Sequence, residues 1–133
     1  MSALNETQTN NYEVDGDDGV IAQLDEVVSG GDLVSFVAGS SPLRAVRANA
    51  ATSKPAHGFV LQAGGIGSTA VVYTRGRNNQ VTGVSVGELF LSGSNPGKTV
   101  SQPPVLADGI IQYVGEGVAA TEYLFDPDQP IQV

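Results

Sequence analysis

The chain has 133 residues, 41% of them hydrophobic, which suits one domain with a real core and excludes a disordered polymer. It contains no cysteine, so disulfides, thiolate metal sites and a cysteine nucleophile are excluded. A formal net charge of −8 opposes direct contact with nucleic acid, because acidic surfaces repel phosphate backbones.

That charge is unevenly placed. Met1–Asp32 carries eight acids and no Lys or Arg, whereas Leu33–Val133 carries six acids against six basic residues. Met1–Asn11 is polar and without period, which predicts an extended arm. It has neither the basic start nor the apolar run of a signal peptide. No apolar stretch approaches the roughly 20 residues of a membrane helix, so no membrane partner is expected. Tyr12-Glu13-Val14 and Val20–Leu24 then flank Asp15-Gly16-Asp17-Asp18-Gly19. Two β-like runs around Asp and Gly predict a hairpin. The cluster fails as a calcium loop, because Gly19 stands at the fifth position, where a ligand is needed. Residues 1–31 therefore read as an acidic arm with a possible hairpin, and 32–133 as the folded domain. An acidic arm either keeps a protein soluble or docks on a basic groove. Glu6, Tyr12, Glu13, Asp15, Asp17 and Asp18 are its candidate contacts.

Asp25–Ser29 could form one helical turn before Gly30-Gly31 ends it. Asp32–Ala38 predicts a central strand with both faces largely apolar, and Leu43–Ala48 a second strand beyond the Gly39–Pro42 turn. Gly58–Leu61 and Ala70–Thr74 predict a hairpin around the glycine-rich loop Ala63–Ser68. Strands are expected at Val81–Val86 and Glu88–Leu91, followed by an Asn95-Pro96-Gly97 turn. Gly109–Gly115 and Gly117–Phe125 predict a last hairpin, and Pro127 and Pro130 force an extended tail. No window sustains a helical period. The expected fold is all-β: a small antiparallel β-barrel or β-sandwich with an extended acidic N-terminal arm.

Catalytic signatures fail on inspection. Gly65-Ile66-Gly67-Ser68-Thr69-Ala70 matches G-x-G-x-x-A, but phosphate binding needs a helix directly after the glycines. Val71-Val72-Tyr73-Thr74 predicts a strand instead, so the glycines serve a tight connection. His57 is the sole histidine; it can build no histidine metal cluster, and no G-x-S-x-G accompanies it. It reads as a loop or strand-edge residue. Tyr12, Tyr73, Tyr113 and Tyr123 could stack on sugars, although β spacing favours packing roles. The chain is expected to be no enzyme and to use no cofactor or metal.

The stretch Asp32–Val133 resembles the decoration (cement) proteins of tailed-phage capsids and related β-rich fibre modules. The residues that carry the likeness are Gly31–Val34, Val46–Ala50, Ala56–Leu61, Ala70–Tyr73 and Glu88–Ser92. Pro96-Gly97, Pro103-Pro104, Gln112–Gly115 and Leu124–Pro127 continue it in order. Phe90-Leu91-Ser92 departs from the family's Tyr-Leu-Ser. Met1–Gly31 has no counterpart. The resemblance implies a structural virion protein, made in the host cytoplasm, that sits on the capsid exterior. Its implied partners are the major capsid protein and itself, as a homotrimer. A head-fibre, tail-fibre or baseplate module that attaches to a host glycan or another virion protein is the alternative.

Overall fold

A computed structural model describes residues 17–133, with side chains from Gly19 onward. The described chain is all-β, as expected. Its strands are β1 (Asp17–Leu24), β2 (Leu33–Phe36), β3 (Arg44–Arg47), β4 (Gly58–Phe59), β5 (Thr69–Asn78) and β6 (Gly87–Leu91). They continue as β7 (Thr99–Val100), β8 (Ile110–Ile111), β9 (Tyr113–Ala119), β10 (Glu122–Phe125) and β11 (Ile131–Gln132). The single helical piece among the described residues is a 3-10 turn, Ala50–Thr52, where the Asn49 side chain accepts from the Ala51 N–H.

The first five strands close on themselves in the order β1-β3-β2-β4-β5, and β5 returns to β1. The result is a five-stranded barrel with no free edge around its girth. All its pairings are antiparallel except β1 with β3, a short parallel contact at Gln23↔Arg44 and Leu24↔Ala45. Alternation along the strands decides what points inward. Ala22, Leu24, Val34, Ala45, Val60 and Val72 are buried together inside, and Val28 joins them. Gly58 is required here: a Cβ would stand 2.4 Å from Val72 Cγ1 and 2.8 Å from the Tyr73 carbonyl. The barrel is narrow enough that β4 approaches β5 only without a side chain.

β5 is long enough to serve two structures. Its first residues pair with β1, and Gly76–Asn78 pair with β10, which leads on to β9, β6 and β7. Between barrel and second sheet lies another core, built from Leu33 and Phe59 on the barrel side and Leu89, Leu91, Val114, Tyr123 and Phe125 on the other. Phe59 and Phe125 meet edge to face at 5.5 Å. Gln112 fastens this layer: its Oε1 accepts from the Ala56 N–H, and its Nε2 donates to the Ala56 and Asp128 carbonyls.

Five expectations change. Asp17, Asp18 and Gly19 lie within β1 rather than in a turn, and antiparallel pairing with Arg75, at Asp17, and with Tyr73, at Gly19, accounts for it. Residues 17–31, grouped with the arm on sequence grounds, thus supply a barrel strand and three core side chains, Ala22, Leu24 and Val28. Asp25–Ser29 forms no helical turn; Val28 bridges to Gly64. Val81–Val86 is irregular, with Gly83 at φ +69° bending the backbone out of strand geometry. The last hairpin turns at Ala120-Thr121, because β9 runs straight through Gly115 and Gly117.

Candidate functional site

The loop 61–68 folds back over the end of β1. The Leu24 N–H donates to the Ser68 carbonyl and the Gly67 N–H to the Leu24 carbonyl, while Val28 and Gly64 exchange both backbone bonds. Gly64 sits where a Cβ would meet Leu24 Cδ1 at 2.7 Å, and Gly67 adopts φ +87°. These glycines close one end of the barrel. The residues after them continue into β5 without a helix.

Between this loop and the outward face of β1 and β5 runs a groove of about 470 Å3. Register explains its floor. Ile21 lies opposite Val71, Gly19 opposite Tyr73 and Gln23 opposite Thr69, and all of them alternate with the buried Ala22 and Val72. Ile21 is 63% exposed and Val71 41% exposed, although both are apolar and directly paired. Leu61 and Tyr73 line the same groove. Elsewhere on the barrel, Arg44 pairs with Asp25 at 3.2 Å and Arg47 with Glu26 at 3.5 Å, ties that fasten β3 to the segment after β1. Such exposed pairs contribute little to stability individually.

Of the six candidate contact residues, Glu6, Tyr12, Glu13 and Asp15 lie outside the described residues. Asp17 and Asp18 open β1, the strand that carries Ile21 into the groove wall. The apolar pair Ile21–Val71 was not singled out in the sequence, where Val20-Ile21-Ala22 is a continuous apolar run that does not show which side chain faces outward.

His57 stands just before β4. Its Nδ1 accepts from the Phe36 N–H at 2.9 Å, and its ring stacks on Phe36 with centroids 5.5 Å apart. Partial burial pushes its pKa below the usual histidine value. The bond accepted at Nδ1 also favours the neutral ring, with the proton on Nε2. The histidine thus ties β2 to the chain entering β4. Among the described residues no group of three or more His, Cys, Asp or Glu side chains is placed to hold a metal. Tyr73 and Tyr123 pack in or against the core between barrel and sheet, and Tyr113 meets Phe90 edge to face at 6.1 Å. Tyr12 lies outside the described residues.

No protein-family model, no curated protein and no solved structure matches this chain. No helix among the described residues is long and apolar enough to cross a membrane.

Proposed function

We propose that the chain is a structural virion protein that decorates and stabilises the exterior of a tailed-phage capsid. The observation that carries this reading is the exposed apolar pair Ile21–Val71, set in a groove on the strand that follows the acidic N-terminal stretch. Apolar side chains at the centre of a contact with charges at its rim are how protein surfaces associate. A ligand that binds only the mature shell stabilises it by mass action, and a homotrimer that bridges subunits of the major capsid protein gains avidity. The ordered likeness of Asp32–Val133 to decoration proteins supports the same reading.

Two measurements test it. The chain should co-purify with virions at a copy number matching multiples of the capsid subunit; a few copies per particle would point to a fibre or vertex component instead. The Ile21→Asp/Val71→Asp double variant should stay folded, because both side chains face outward, and should lose capsid binding. Undiminished binding by that variant would remove the groove from the proposal.

A further inference from the structure

A second cavity, of about 350 Å3, lies where Gly30-Gly31, the segment 80–83 and the turn leading into β7 converge on Tyr123. Two glycines shape it. A Cβ on Gly31, at φ +91°, would stand 2.2 Å from the Gln80 carbonyl oxygen, and one on Gly97, at φ +80°, would stand 2.9 Å from Asp32 Cγ. The walls approach one another only without those side chains.

The inner end of the cavity carries a donor that finds no acceptor among the described residues. Tyr123 is 1% exposed, and burial raises its pKa strongly, so its hydroxyl keeps its hydrogen at any ordinary pH. Asn78, also buried, donates from Nδ2 to the Tyr123 hydroxyl oxygen at 3.2 Å and to the Gly31 carbonyl at 2.9 Å. That shared donor fixes the hydroxyl beside Gly31, on the cavity wall. The hydroxyl oxygen is therefore an acceptor here, and no described residue accepts its hydrogen. A buried donor left unmet is costly, and beside a roomy polar space it marks where a partner oxygen belongs.

The surrounding groups define that partner. Lys98 donates to Asp32 Oδ1 at 2.8 Å, and Asp32 Oδ2 accepts from the Ser29 N–H at 2.9 Å. The ion pair cancels its own charge, and the Asp32 carboxylate opposes negative charge at the Tyr123 oxygen. An anion is thereby disfavoured. Lys98 retains two further hydrogens to donate, and the Thr82 and Thr99 hydroxyls on the walls can each donate and accept. A lone carbonyl would satisfy one of these groups; a ring bearing several hydroxyls would satisfy most of them, with its C–H face on Val81. We propose that this cavity binds a single neutral sugar unit, seated on the Tyr123 hydroxyl. The site shares no lining residue with the Ile21–Val71 groove, so it stands or falls apart from capsid binding.

The test is an amide NMR titration of the full chain with glucose, galactose, mannose and N-acetylglucosamine, each raised to about 100 mM, with acetate as the anionic control. At least one sugar should give saturable shifts centred on Gly30, Gly31, Gly83, Lys98 and Thr99, and acetate none. Tyr123→Phe keeps the ring and should weaken that sugar about tenfold, the loss expected for one hydrogen bond. Thr82→Val, on an exposed wall, should weaken it as well and decides the matter if Tyr123→Phe unfolds. Absence of shifts with all four sugars, tighter binding of acetate, or titrations unaltered in both variants would overturn the proposal.

Discussion

The barrel interior and the layer beneath the second sheet are filled with different side chains. Inside the barrel every buried residue is aliphatic, and two of them are alanines, Ala22 and Ala45. Beneath the second sheet lie Phe59, Tyr123 and Phe125, with Asn78 and Gln112 buried beside them. A five-stranded closed barrel has little room within, since diameter grows with strand number. The space between a curved barrel wall and a separate sheet is wider, and aromatic rings fill it. Strand β5 belongs to both regions, with Val72 inward to the barrel and Tyr73 outward to the aromatic layer. One strand's alternation therefore divides the molecule's two cores.

This contrast predicts a ranking of losses, measured by urea unfolding. Phe125→Ala should cost most, about 3–5 kcal/mol, because it empties an aromatic-sized site between elements that cannot collapse together. Gly117→Ala should follow at about 3 kcal/mol: its Cβ would stand 1.9 Å from the Ser85 carbonyl oxygen, a backbone atom that cannot rotate away. Val72→Ala should cost about 2 kcal/mol, two methyl groups plus a small cavity. A loss at Val72 equal to that at Phe125 would mean the barrel, rather than the aromatic layer, dominates stability.

The same contrast explains what the sequence disclosed. Strand composition and turn spacing made the all-β class plain, and the expected hairpin of Gly58–Leu61 with Ala70–Thr74 is present as an antiparallel contact at Phe59↔Tyr73. Barrel closure was not legible, because the parallel contact of β1 with β3 joins strands separated by β2 and leaves no local pattern. Gly115 and Gly117 looked like ends of a turn. They are interior strand glycines, at which the Leu124 and Ser85 carbonyls come too close for any side chain. Only three-dimensional neighbours distinguish these two uses of glycine. The polar cavity stayed hidden for a related reason. Asp32, Asn78, Lys98 and Tyr123 are far apart in sequence, and Tyr123 by itself reads as core.

The smallest expected effect concerns the seam between β2 and β4, where His57 meets Phe36. The folded protein favours the neutral imidazole, since partial burial lowers its pKa and Nδ1 is already an acceptor. An unfolded chain takes up a proton near the ordinary histidine value of 6.5. The unfolded state therefore binds more protons than the native state just below that pH, and stability falls as pH falls. The contribution is complete above about 6.5 and declines until the folded imidazole itself becomes protonated. Carboxylates titrate lower and would mask the effect in a single curve, so the informative quantity is a difference. The melting temperature of the wild type should drop between pH 7 and pH 5 by more than that of His57→Gln, which has no proton to gain. Equal drops would show that the bond from the Phe36 N–H does not select the neutral ring, and that the seam is held by stacking alone.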